Sequence, residues 1–225
     1  MKNYLLISPN RSGGTMFFHD YEKQHGLEHK TINEPWHGSE RSGNPKWKFY
    51  QDETKLIVND LLNNQPFRVK LTPDSYFEFM SKEDFFILSE PEITTVHAVL
   101  RPNLKEWFLS FVVAKEFDYW RKKRNDLTPA PELKPKNITR ISVIRDFINM
   151  LQQYAVFLDM YEARIQDYKI YKEQDDKTNY LVKQHQPGEK EKLIINAGHL
   201  LETFEKVCKG YGLDINNTDL RRWYD

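Results

Sequence analysis

The chain has a single cysteine among its 225 residues, Cys208, so no disulfide can form within a monomer. That cysteine falls in the pattern Leu200, Leu201, Phe204, Val207, where a small apolar filler is the expected role rather than a reactive thiol. No apolar run approaches the ~20 residues of a membrane span. The opening MKNYLLISPN enters a strand pattern at once, without the marks of a signal peptide. A soluble, reducing, cytoplasmic setting is expected. Charge of one sign is not in excess either, since lysine plus arginine number 33 and aspartate plus glutamate 33. With no global field to draw in a nucleic acid polymer or a membrane surface, any basic site must be local. Neither H-E-x-x-H nor a paired-cysteine ligand set occurs, and no metal is expected. No internal repeat is visible.

What is present is an apolar complement of 39% with 14% aromatic residues, enough for one sizeable core. A single domain over residues 1–225 is expected. Strand patterns cover Tyr4 to Ser8, Phe67 to Thr72, Phe85 to Leu88, Thr94 to Arg101 and Tyr168 to Lys172. Helical patterns cover Thr15 to His25, Thr54 to Asn63, Leu104 to Lys123, Ile141 to Asp167 and Leu200 to Tyr211. Leu104, Trp107, Phe108, Phe111 and Val112 make one apolar stripe; Ile144, Phe147, Ile148, Leu151, Tyr154, Leu158, Tyr161 and Ile165 make another. Alternation of this kind predicts an α/β fold with a central parallel sheet flanked by helices. Residues 121–137 and 173–192 read as irregular, charged loops, either solvated or closing over a site.

Between the first strand and first helix stands LISPNRSGGTMFFH. A strand that turns through Arg11, Ser12, Gly13, Gly14 and Thr15 into a helix leaves backbone N–H groups unpaired and aimed the same way. Such a turn is an anion site, although glycine pairs also make plain tight turns. The nucleoside-triphosphate pattern G-x-x-x-x-G-K-[ST] is not met, because Met16 follows Thr15 and its lysine is missing. The G-x-G-x-x-G fingerprint does not fit. A second constellation lies in TTVHAVLRPNLKEWFLSF, where Arg101 ends a strand and Pro102 leads into the helix that carries Ser110. Ligands of open α/β sheets bind outside the carboxyl ends of strands, so Arg101 is placed for a bidentate contact to a second phosphate. Ser110 is either a helper of Arg101 or an ordinary helix-surface serine.

These two pieces together, strand-P-x-R-S-G-G-T-helix and then strand-R-P-x(7)-S-helix, resemble the sulfotransferases that use 3′-phosphoadenosine 5′-phosphosulfate. FRVKLTP is similar to that family's lysine-bearing strand, and LIINAGHLLETFEKVCKGYGL to its closing helix. The resemblance implies a P-loop-like nucleotide-binding architecture. It implies that Arg11, Ser12, Gly13, Gly14 and Thr15 hold the 5′-phosphosulfate, while Arg101 and Ser110 hold the 3′-phosphate. The pattern departs at Gly14, where the family usually carries a hydroxyl residue, and in the Arg101–Ser110 spacing, one residue longer than usual. No adenine segment is recognisable.

The implied reaction moves a sulfuryl group in line from a phosphate oxygen to an acceptor hydroxyl on a small molecule or carbohydrate. Negative charge grows on the leaving phosphate, and donors aimed at it are worth ~10²–10³ each in rate. A base must take the hydroxyl proton. In KTINEPWHGSE the first choice is Glu34, about two dozen residues after Arg11, where some sulfotransferases place a catalytic glutamate. His37 is the rival, with an unperturbed pKa near neutrality; in a third reading, Glu34-Pro35 simply ends an element and Trp36 packs a wall. Lys70 either points at the bridging oxygen or is a solvated edge charge. His97 alternates with Val96 and Ala98 and reads as a core residue. Trp36, Trp47, Phe49 and Trp120 are expected to wall the acceptor site, and Arg121 to Arg124 either guide an anion inward or face solvent. Two alternatives remain open: a nucleotide phosphotransferase of the P-loop kinase type, and a non-catalytic nucleotide-binding protein on the same fold. Acceptor identity and oligomeric state are not legible.

Overall fold

The computed structural model describes residues 2–27, 34–37, 54–117, 141–172 and 200–216. The two loops expected at 121–137 and 173–192, together with Trp47, Phe49, Trp120 and Arg121 to Arg124, lie outside the described residues. The described chain divides into two compact units: residues 1–100 with 150–171, and residues 101–149 with 172–225.

The first unit is built on a four-stranded parallel sheet flanked by helices. Its strands are β1 (Asn3–Ile7), β2 (Arg68–Leu71), β3 (Thr94–Leu100) and β4 (Asp167–Ile170), in the spatial order β2-β1-β3-β4. β1 is buried along its whole length, with Leu5, Leu6 and Ile7 fully enclosed. That is why it reads as a continuous apolar run rather than an alternating one. Each such side chain contributes about 1.5–3 kcal/mol by leaving water. The register sets Leu6 beside Lys70 on one side and beside His97 on the other. Because β1 connects outward to β2 and the chain then crosses to β3, the carboxyl ends of β1 and β3 form the topological switch point of the sheet.

Helix α1 (Gly14–Gln24) follows β1 and packs Phe18 against Tyr4, Leu6 and Val99. Helix α2 (Thr54–Asn63) precedes β2. After β2 come two short helices, α3 (Pro73–Phe79), with proline in its first turn, and α4 (Lys82–Leu88). The strand expected at Phe85 to Leu88 is therefore helical. Ser81 accepts from the Asp84 amide while the Asp84 carboxylate accepts from the Ser81 amide, a reciprocal cap that starts a helix. Phe85 and Leu88 are then buried three residues apart on one face. An aromatic cluster of Tyr76, Phe85, Phe157 and Tyr161 fills the space beside them, with the Tyr76 and Tyr161 hydroxyls hydrogen-bonded.

Helix α5 (Leu104–Phe117) opens the second unit, where the Asn103 side chain accepts from the Glu106 amide. Helix α6 (Ile141–Tyr161) runs from the second unit into the first. It stops short of the expected Asp167: a 3₁₀ turn at Glu162–Arg164 reverses the chain so that Asp167–Ile170 can pair with β3 as β4. Helix α7 spans residues 200–210. In the second unit Phe108 stacks on Phe204 at 4.2 Å, and Phe147 meets Trp107, Phe108 and Phe111. Cys208 is fully buried, and burial pushes its thiol up to about 12. No helix among the described residues is long and apolar enough to cross a membrane.

Candidate functional site

The segment from Ser8 to Gly13 forms the turn between β1 and α1 at the carboxyl edge of the sheet, and Gly14 and Thr15 open the helix. Arg11 adopts a left-handed backbone (φ 64°), which a side-chain-bearing residue reaches only at a cost. Gly13 is left-handed too (φ 92°) and stands at the N-cap position of α1. The first amides of the helix, at Gly14 and Thr15, have no intrahelical carbonyl to bond and carry the positive end of the helix dipole.

Both glycines are required by their neighbours. A Cβ on Gly13 would fall 2.1 Å from Cδ2 of Tyr171, whose ring packs on the turn. A Cβ on Gly14 would fall 1.8 Å from Ser8 Oγ. The Ser8 hydroxyl thus occupies the space in which a side chain at position 14 would begin. Ser12 is buried, its hydroxyl donating to the Pro9 carbonyl at 2.8 Å and lying 2.9 Å from Ser8 Oγ. Its amide also donates to Pro9. Ser12 therefore shapes the turn from within, whereas Thr15 is exposed.

Lys70 runs from β2 past this turn, its Cδ 3.6 Å from the position of a Cβ at Gly14. Its ammonium donates to Glu34 Oε1 at 2.5 Å, and both side chains are less than one tenth exposed. β2 is an edge strand, yet the solvated-charge reading of Lys70 is not what is observed. Charges removed from water need partners, and the short contact supplies one. Glu34 directly precedes a 3₁₀ turn at Pro35–His37. Beside the pair lies a narrow recess lined by Glu34, Trp36, Lys70, Leu71, Thr72 and Ser75. Trp36 is 1% exposed, and its Nε1 has no hydrogen-bond partner among the described residues. The Thr72 hydroxyl donates to Ser75 Oγ at 2.8 Å.

The sequence-predicted residues Arg11 to Thr15, Glu34 and Lys70 are thus brought into one unit, at one edge of one sheet. Arg101, 5% exposed, and Ser110, half-buried on α5, belong to the other unit. The His37 side chain lies outside what is described. His97 packs edge-on against Tyr4, its Nδ1 3.3 Å from the Tyr4 hydroxyl. Burial, aided by the Lys169 ammonium, lowers its pKa to about 4. It is half-buried at the margin of the core, against Tyr4, rather than enclosed within it. Among the described residues no three histidine, cysteine or acidic side chains group as metal ligands do.

Sequence reasoning missed four contributors. Tyr171 and Ser8 read only as strand residues, and nothing local marks a ring that packs on a distant glycine. The polar pair Thr72 and Ser75 was hidden in the unrecognised start of α3. No family model matches the chain, and no curated protein matches it.

Proposed function

We propose that the chain is a sulfotransferase with a P-loop-like architecture, moving a sulfuryl group from 3′-phosphoadenosine 5′-phosphosulfate to an acceptor hydroxyl. The observation that carries this reading is the juxtaposition of Lys70 with the β1–α1 turn at one end and with Glu34 at the other. A single buried ammonium beside both an anion-receiving turn and a carboxylate suits a reaction in which charge leaves on one oxygen while a proton is lost from another.

In this reading the acceptor oxygen attacks sulfur, the bond from sulfur to the phosphate oxygen breaks, and the phosphate departs with the electron pair. The amides of Gly14 and Thr15 and the Arg11 guanidinium receive the growing negative charge; the hydroxyl proton passes to Glu34. Lys70 fits a role shared between the two. While the turn is empty it neutralises Glu34; when a phosphosulfate adds negative charge beside Gly14, its ammonium is drawn that way and Glu34 becomes the stronger acceptor. The Ser8 hydroxyl stands where the family's usual hydroxyl side chain would start at position 14, which offsets the departure at that glycine. Arg101, the first residue past β3, is the proposed holder of the 3′-phosphate and Ser110 its proposed helper, both from the sequence pattern.

Calorimetric titration with adenosine 3′,5′-bisphosphate beside adenosine triphosphate and magnesium tests the reading. Binding of the bisphosphate, with weak or no binding of the triphosphate, is expected. The reverse order would favour a phosphotransferase, and bisphosphate binding without transfer to any hydroxyl would leave a nucleotide-binding protein.

A further inference from the structure

Glycine has the widest backbone freedom of any residue, so a turn that contains two of them does not by itself hold its amides in one direction. Gly13 stands at the N-cap of α1 with no side chain to bond the first amides, and its φ of 92° is one of several conformations open to a glycine. Gly14 is braced from within the turn by Ser8. Gly13 is braced from outside it. A Cβ there would fall 2.1 Å from Cδ2 of Tyr171, 2.5 Å from Cε2 and 3.2 Å from Cγ, so one edge of the ring fills the space beside its Cα. The ring is itself held. Tyr171 is 6% exposed, it follows β4 directly, and its amide donates to the Leu100 carbonyl at 2.7 Å, at the end of β3. The edge strand β4 therefore delivers an anchored wedge to the start of the first helix.

We infer that Tyr171 is a positioning residue for the turn, its ring holding Gly13 left-handed so that the Gly14 and Thr15 amides are aimed before any ligand arrives. This rests on the sulfotransferase reading and deepens it. Tyr171 acts through Gly13 rather than on the nucleotide, so the ring is the part required and the hydroxyl is dispensable for this role. Donors fixed in advance need no reorganisation as charge develops on the leaving phosphate. Ordering that is complete in the free protein is also not subtracted from the free energy of binding. Removing the ring gives Gly13 back its other conformations, and the affinity for a 5′-phosphate at the turn falls accordingly.

Calorimetric titration with adenosine 3′,5′-bisphosphate compares wild type, Tyr171→Phe and Tyr171→Ala. Tyr171→Phe keeps the ring and is expected to bind as wild type does; Tyr171→Ala is expected to lose at least about tenfold in affinity. A residue that only stabilises the fold would lower the melting temperature in Tyr171→Ala and leave the Kd of the folded fraction where it was. That result would overturn the inference. So would an equal loss in Tyr171→Phe, which would assign the effect to the hydroxyl. A second measurement needs no variant and decides the matter even where Tyr171→Ala does not fold. The chain has nine glycines, few enough to resolve singly in wild type labelled with ¹⁵N-glycine. The Gly13 amide is expected to be rigid on the ps–ns timescale before bisphosphate is added, with an order parameter near ~0.85, and to stay so afterwards. A Gly13 amide that is mobile alone and stiffens only on binding would overturn the inference. Failure of the bisphosphate to bind wild type at all would instead sink the sulfotransferase reading itself, while the rigidity of Gly13 is still read in the free protein.

Discussion

Lys70 Nζ and Glu34 Oε1 lie 2.5 Å apart in a place where neither side chain is more than one tenth exposed. Thirty-six residues of sequence separate them. The pair joins the turn after β1 to the recess beside Trp36, and its energetics should be visible in both stability and turnover.

Breaking one side of a buried ion pair leaves an uncompensated charge, which costs about 3–5 kcal/mol. Lys70→Met is therefore expected to destabilise strongly in urea unfolding, and Glu34→Gln combined with Lys70→Met to recover most of the loss. Glu34→Gln alone is expected to keep bisphosphate affinity and to lower turnover by about 10²–10⁴, the usual contribution of a general base. A double variant as unstable as the sum of its parts would show that the two groups are not coupled.

Gly14→Ala puts a methyl group 1.8 Å from Ser8 Oγ and 2.4 Å from Ser8 Cβ. Overpacking of this kind costs about 1–3 kcal/mol. Because Ser8→Gly removes both obstructing atoms, the double variant is expected to be more stable than additivity allows. Thermal melts of the two single variants and the double variant measure the coupling; strict additivity would mean that Ser8 does not fill that space.

The two arginines should differ in kind. Arg11→Ala is expected to abolish measurable transfer, since a donor aimed at developing charge is worth ~10²–10³ in rate. Arg101→Ala is expected chiefly to raise the donor's KM, by about 10- to 100-fold for a lost charged hydrogen bond. Steady-state kinetics with wild-type values in both variants would refute the assignment.

Acid should destabilise the fold through His97. Its pKa is about 4 in the folded protein against 6.5 as a free side chain, so between those values the unfolded chain binds the extra proton and the folded chain does not. Stability therefore begins to fall as pH drops below about 6.5 and goes on falling until about 4. Partial solvent access screens the effect, and a loss of no more than ~1–2 kcal/mol is expected. His97→Gln can keep a bond to the Tyr4 hydroxyl and should flatten this part of the pH–stability curve. An identical slope in wild type and variant would assign the loss to other groups.

The apolar run of β1 and the glycine turn into α1 were legible because both are local. Four of five strands and all five helical patterns recur in the structure. Phe85 to Leu88 misled because a run of four apolar residues has no period of its own. The deciding signal was Ser81 with Asp84 three residues later, a cap that lies outside the run. The end of α6 misled for the opposite reason. Ile165 continues the helical stripe, but the unpaired edge of β3 captures the chain from Asp167 onward.

By itself the sequence determined the parallel α/β layout and the position of the glycine turn between β1 and α1, because hydrophobic period and the steric freedom of glycine act over a few residues. It also singled out Glu34 and Lys70, without linking them. Only tertiary structure decided that Lys70 is a buried partner of Glu34 rather than a solvated edge charge, that Ser8 fills the space at Gly14, and that Tyr171 packs on Gly13. Those outcomes depend on strand register and on which groups lose their water when the sheet closes, and neither is written in any short stretch of chain.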